Sequence, residues 1–243
     1  MTTTFPDLLA AQLRADGARP LVTFYDDATG ERIELSVVTF ANWVAKTAGL
    51  LQDELDAERG GLLVVDLPTH WQGVVWVAAA WTLGMRVAGP ERAAGADVVV
   101  CGPDTLEGYG DQDCPVVACS LRPLGGRFTE PLPANVLDYG AVVLGQPDAF
   151  FPLDPPVAGD AAWDDGTTQQ QLLAEAATDD LGSTGARLLT DVPASTRAGL
   201  RTLLAPLMHG GGTVWVRNPA EDGWAHRAET ERATATLRAQ PAG

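Results

Sequence analysis

Between Gly61 and Val216, short apolar runs bounded by Gly, Pro or Asp alternate with stretches whose apolar residues recur at helical spacing. The runs Gly61–Leu67, Arg86–Gly89, Asp97–Cys101, Val116–Cys119, Arg187–Val192 and Thr213–Val216 have the length and punctuation of buried strands. Val74–Leu83, the longest apolar stretch, predicts a buried helix. Strands separated by helical stretches specify an α/β fold, a mostly parallel or mixed sheet with helices on both faces. Ahead of this core, Thr4–Asp16 predicts a helix capped by Thr4, with Pro6 in its first turn and Phe5, Leu8, Leu9 and Leu13 on one face. In Ser36–Arg59, Phe40, Val44 and Leu51 recur at helical spacing, and Gly60-Gly61 end the segment. Val136–Pro155 stays open, because Tyr139–Leu144 suits a strand or a short helix. Arg122–Pro133 and Phe151–Gly159 are Pro- and Gly-rich loops.

Composition narrows the class. A chain of 243 residues with 46% hydrophobic content can bury a real core. By length this is one large or two small domains. Lys and Arg number 16 against 32 Asp and Glu, a net charge of −16 that repels phosphate backbones and anionic membranes, so neither nucleic acid nor membrane is an expected partner. The longest apolar stretch, Val74–Leu83, is short of the roughly 20 residues that span a bilayer. No basic region precedes an apolar one at the N-terminus, so the expected location is cytoplasmic. Cys101, Cys114 and Cys119 form no C-x-x-C pair, and no metal site is expected; Cys101 and Cys119 read as small residues near strand ends.

Several segments carry a family pattern in order. Arg19–Phe24 and Ile33–Ser36 flank a turn at Asp27–Gly30, Gly61–Pro68 resembles a strand of the form V-A-I-x-L-P, and Gly84–Pro90 resembles K-A-G-A-V-x-V-P. Further on, Arg187–Pro193 with Gly199–Leu207 resembles D-R-V-L-x-x-L-P-L-F-H-x-x-G-L, and Gly211–Val216 resembles G-G-T-V-V-L-V. Together they resemble the N-terminal region of the AMP-forming acyl-CoA synthetase and adenylation-domain superfamily. On that resemblance the chain is a single unit over residues 1–243, with helix, hairpin and helix to residue 60, an α/β core over 61–220 and a terminal segment over 221–243. That family has S/T-G-T-T-G-x-P-K-G leading into T-H-x-N-L-x-A. Here Asp165-Gly166-Thr167-Thr168 runs directly into Gln169–Ala174, and the second glycine, the proline and the lysine are missing.

The resemblance makes Gly166, Thr167 and Thr168 a vestigial phosphate loop. Such a loop grips phosphates with backbone N–H groups, hydroxyls and an ammonium, and its glycines and lysine supply the geometry and the charge. The chain's one lysine, Lys46, falls on the Ser36–Arg59 helix as a solvated residue. Asp164 and Asp165 beside Gly166 are expected to oppose a phosphate. Leu181–Gly185 also matches the loop in letters, but it leaves no room for the helix that follows in the family, whereas Gln169–Ala177 fits that helix; Gly182–Gly185 then reads as a turn.

No catalytic residue is carried over. The resemblance does not reach the family's adenine pocket, magnesium-binding glutamate, ribose-binding aspartate or C-terminal lid with its lysine, and no lid domain is expected. Where the family often has an aromatic and a histidine, this chain has Ser195 and Thr196, one of which is expected to cap the Arg197–Met208 helix. His70, after Pro68-Thr69, is expected in the first turn of its helix, and His209 at a helix C-terminus. Ser195, Thr196 and His70 are the candidate pocket residues. Trp71, Trp76 and Trp81 lie five apart and spread around their helix, so at least one is expected to face a partner.

The expectation is therefore a non-catalytic relative acting as a small-molecule-binding or protein-interaction module. The alternative is the N-terminal half of a split acyl-CoA synthetase completed by a partner chain. A changed enzyme using Cys101 or His70 is a weaker third. No cofactor is expected, and ATP, AMP and CoA enter only if the family activity is retained. The expected partner is a second copy of the chain or a protein covering the missing subdomain.

Overall fold

The structure, a computed structural model, describes residues 3–239. Helix α1 (Phe5–Asp16) leads into an antiparallel hairpin, β1 (Pro20–Asp26) and β2 (Glu31–Ser36), and then α2 (Val37–Gly49), which runs on as a π-helical turn over Leu50–Glu54. There follow β3 (Leu62–Asp66), α3 (Trp71–Leu83), β4 (Arg86–Ala88), β5 (Val98–Cys101), β6 (Val116–Ala118), β7 (Val136–Asp138) and the single-turn α4 (Tyr139–Val142). The remainder is α5 (Gln169–Ala177), β8 (Arg187–Thr190), α6 (Leu200–Met208), β9 (Gly212–Arg217), α7 (Trp224–Thr230) and β10 (Ala235–Leu237). All six strands expected from the apolar runs form, within one residue at the start and two at the end of each.

The strands divide into two five-stranded sheets. One, in the order β4-β3-β5-β6-β7, is parallel throughout; the other, β10-β8-β9-β1-β2, is parallel except for the β1–β2 hairpin. Helix α3 touches β3 and β4 of the first sheet and β1 of the second, and α1 and α2 pack on it. Because α3 is enclosed on every side it needs no polar stripe. Trp71, Trp76 and Trp81 are all at most 1% exposed, so the expectation that one faces outward is wrong: the spread that looked like surface exposure is the signature of a central helix. Each removes enough apolar surface from water to contribute about 2–3 kcal/mol. Two of the three indoles are also satisfied, with Trp81 Nε1 donating to Ala162 O at 2.8 Å and Trp76 Nε1 to Cys119 Sγ at 3.2 Å. Gly84, in the left-handed conformation at φ +83°, ends α3 and frees the chain to enter β4.

Three local expectations change. Lys46 is not solvated: its side chain is 17% exposed, its ammonium donates to Gln146 O and pairs with Asp148 at 3.1 Å, and it pins the segment after α4 to α2. The Ser36–Arg59 helix stops at Glu54, since the π-turn gives way to Leu55 and then to Asp56 with φ +49°. Val136–Pro155 contains both of the alternatives left open, β7 followed directly by α4. Among the described residues, no helix is long and apolar enough to cross a membrane.

Candidate functional site

The Gly166 turn forms the tip of a short hairpin in which Ala161 pairs antiparallel with Thr168, while Trp163 extends the edge of β4 by pairing with Val87. Gly166 takes φ +87°, a conformation that favours glycine. The backbone donors of the turn are already used. Gly166 N–H donates to Trp163 O at 3.0 Å, Thr167 N–H to Asp165 Oδ1 at 2.8 Å and Thr168 N–H to Gln171 Oε1 at 2.8 Å. Thr168 is the N-cap of α5, its Oγ1 accepting from Gln171 N–H at 3.3 Å, so that Thr168 and Gln171 make a reciprocal capping box.

Arginines surround this turn. Arg197 Nε donates to Asp165 Oδ2 at 3.0 Å, and its Nη2 reaches Thr167 Oγ1 at 3.4 Å and Glu175 Oε2 at 3.2 Å. Asp164 pairs with Arg86 at 3.3 Å and Arg92 at 2.9 Å. Burial works to raise the Asp165 carboxyl, but the donors of Thr167 and Arg197 outweigh it and hold it below the usual carboxylate range. The two aspartates are therefore not the bare pair their sequence suggests. Their charge is largely met by guanidinium groups, and those guanidiniums are in turn occupied. The turn lines an open depression of about 480 Å³ with Gln171 and Glu175, and His70, Ser195 and Thr196 do not line it.

The second group of candidates lies where the loops after β3 and β8 meet. Thr69 Oγ1 donates to Asp191 O at 2.8 Å and Ser195 Oγ to Leu67 O at 3.5 Å. His70 is the N-cap of α3 rather than a residue of its first turn: Nδ1 accepts from Gln72 N–H at 3.2 Å, which leaves the proton of the neutral ring on Nε2. The ring is 3% exposed and stands edge-on to Phe24 at 4.6 Å. Burial, and then the charge of Arg217, lower its pKa to about 3. His70 Nε2, Trp71 Nε1 and Gln72 Oε1, on three successive residues, are buried without a partner. Thr196 is the cap, accepting from Gly199 N–H at 3.1 Å, while Ser195 is buried and caps nothing. A 3-10 turn over Arg197–Gly199 precedes α6. His209 sits at the end of α6 as expected.

No protein-family model matches the chain. A relative described as a TIGR03089 family protein, from Mycobacterium tuberculosis (strain ATCC 25618 / H37Rv), is 38% identical over 250 residues, which span 97% of this chain and 98% of that one. The chain belongs to the TIGR03089 family. Among solved structures, an acyl-CoA synthetase from Brucella canis superposes with a TM-score of 0.77 at 17% identity, over 97% of this chain and 47% of its own. An acetoacetyl-CoA synthetase from Streptomyces lividans does so with a TM-score of 0.77 at 16% identity, over 97% of this chain and 42% of its own. At such identities the likeness is one of fold, and the chain spans less than half the length of either synthetase.

In this TIGR03089 chain burial governs the two thiols at the strand ends. Burial first, with Asp66 adding to it, pushes Cys101 up to about 12, and Cys119 is raised further by complete burial. Both stay protonated at neutral pH, so Cys101 presents no thiolate for the third expectation. The residues missed by sequence reasoning are the arginines. Arg197 follows Thr196 directly, but its acceptor lies 32 residues away, and nothing local marks the pair.

Proposed function

We propose that this chain is a non-catalytic relative of the adenylate-forming enzymes that acts as a small-molecule-binding or protein-interaction module. The observation that carries the reading is the internal use of the Gly166 turn. A phosphate-gripping loop presents unsatisfied N–H donors and free positive charge to its anion. Here the N–H groups of Gly166, Thr167 and Thr168 bind Trp163, Asp165 and Gln171, and Arg197 is shared between Asp165 and Glu175. To bind ATP the turn would have to give up its own hydrogen bonds, including the cap of α5, and no lysine stands nearby. Removing one preorganised stabilising group from a phosphate or oxyanion site costs about 2.7–4 kcal/mol of transition-state stabilisation, and several are missing at once.

The purified chain is expected to show no acid-dependent pyrophosphate exchange and no heat of ATP binding in titration calorimetry. Exchange above background by this chain alone overturns the reading. The alternative, a split synthetase, draws support from the solved synthetases, of which this chain matches 47% and 42%. It requires that exchange appear when a partner chain supplying the remaining regions is added. We further take residues 1–243 as one folding unit, because one continuous core cluster runs from Phe5 to Trp215 through both sheets. A single cooperative unfolding transition is expected by circular dichroism and tryptophan fluorescence alike.

A further inference from the structure

The register of the mixed sheet sets three charged residues in one row. Arg217 at the end of β9 pairs with Asp26 at the end of β1, and Asp26 pairs on its other side with Glu31 at the start of β2. Residues directly opposite on neighbouring strands project from the same face, so the three side chains line up at the edge of the sheet. The row opens into a cleft of about 480 Å³ whose far wall belongs to the other sheet, from the loops after β5 and β6 that carry Asp104 and Arg122. A cleft beyond the carboxyl ends of strands is where open α/β sheets collect ligands.

The charges in this cleft are unequally satisfied. Asp26 is held on one oxygen, its Oδ1 accepting from Ala28 N–H and Asn218 Nδ2, each at 2.9 Å. Glu31 Oε1 is shielded from solvent and has no partner. The one ion pair of Arg217 among the described residues is with Asp104 at 3.7 Å, a carboxylate 83% exposed. Burial and then the neighbouring Asp26 push the Glu31 carboxyl up, against the pull of Arg217. The charge of Arg217 also acts on His70, whose Nε2 is likewise buried without a partner. A shielded polar atom without a partner is costly, and it is ordinarily met by water or by a ligand.

The sign of the ligand follows from counting what faces it. Asp26, Glu31 and Asp104 oppose a simple anion, and Arg122 and Arg217 oppose a simple cation. A molecule with one group of each sign satisfies both, its N–H groups meeting Glu31 and its carboxylate taking the guanidinium fork of Arg217. We propose that this cleft binds a small zwitterion carrying an ammonium and a carboxylate, an amino acid or a short ω-amino acid, with the ammonium on Glu31 and the carboxylate on Arg217. The proposal develops the small-molecule-binding side of the function above. It is independent of the Gly166 turn, so its failure leaves the non-catalytic reading standing, and pyrophosphate exchange would overturn that reading while the titration below still decides on this cleft.

The test is titration calorimetry of the full chain with the proteinogenic L-amino acids, β-alanine and γ-aminobutyrate. For the zwitterion that binds best, the matched carboxylic acid without the amine and the matched amine without the carboxylate are titrated in parallel. Each truncated analogue is expected to bind roughly tenfold more weakly or worse, as are Arg217→Gln and Glu31→Gln with the intact zwitterion. The analogues on the unmodified protein keep the test decisive if a variant fails to fold. Absence of binding across the zwitterion panel overturns the proposal, and so does equal binding of the acid or the amine alone.

Discussion

His70 enters the folded chain neutral. In an unfolded chain its ring titrates near ~6.5, whereas burial and then Arg217 lower it to about 3 in the fold. Between those values the unfolded state holds more protons than the folded one, so the stability is fully present above the unfolded value and is lost as pH falls toward the folded one. By about pH 5 the loss amounts to about 2 kcal/mol. His70→Asn keeps a cap acceptor for Gln72 N–H and removes the titration. The variant is therefore expected to lose less stability than the parent between about pH 7 and about pH 5, measured by urea unfolding. Carboxylates held below their usual range, among them Asp27, Asp165 and Glu231, add an acid sensitivity of their own, but it is common to both proteins and cancels in the difference. Equal pH slopes in the two proteins would show that the ring is not held neutral. That His70 stands at a strand-to-helix turn was legible from Pro68-Thr69-His70; its burial against Phe24 was not, because Phe24 belongs to a different sheet.

Thr168 tests the competing demands placed on one element. The family resemblance makes it a phosphate-loop residue, and the structure makes it the N-cap of α5, with Gln171 closing the box. Thr168→Ala removes the acceptor for Gln171 N–H and is expected to destabilise the chain by about 1 kcal/mol, read as a lower urea midpoint at unchanged m-value. An unchanged midpoint would mean that the cap carries no weight and that the hydroxyl is free for another role. The element itself was readable: a Thr followed three residues later by Gln at the head of an apolar-periodic stretch is a local helix start. The consumption of the turn's other donors was not readable, since Asp165 and Trp163 become acceptors only once the hairpin has formed. Lys46 shows the same division, for its place on α2 follows from spacing, whereas its partners, Gln146 and Asp148, arrive from the segment after α4, 100 residues further along the chain in the case of Gln146.

The molecule as a whole presents apolar knobs on a braced segment. Phe151 is 82% and Leu153 88% exposed, while Leu153 N–H donates to Gln52 Oε1 at 2.9 Å and Asp154 pairs with Arg59 at 3.2 Å. Exposed apolar groups held in place by such contacts suit a protein contact, and a symmetric pair of copies is the commonest way to cover them. Each copy carries a net charge of −16, so their repulsion is screened by salt and the associated fraction is expected to rise with ionic strength. Light scattering at high concentration checks this: a dimer that Phe151→Ser with Leu153→Ser dissociates is the expected result, and a monomer in high salt overturns it. What the sequence determined by itself was the kind of the strongly patterned elements, the six core strands, α1, α3 and α5, because apolar spacing, caps and turn residues act over a few positions and leave their mark there; it left Val136–Pro155 open and ran the Ser36–Arg59 helix too far. The tertiary structure alone decided how the strands divide between two sheets, that β1 lies beside β9 with Val22 opposite Thr213, and that Arg217, Asp26 and Glu31 share a row. These depend on which distant apolar surfaces bury one another around α3, and packing of that kind has no local period to read.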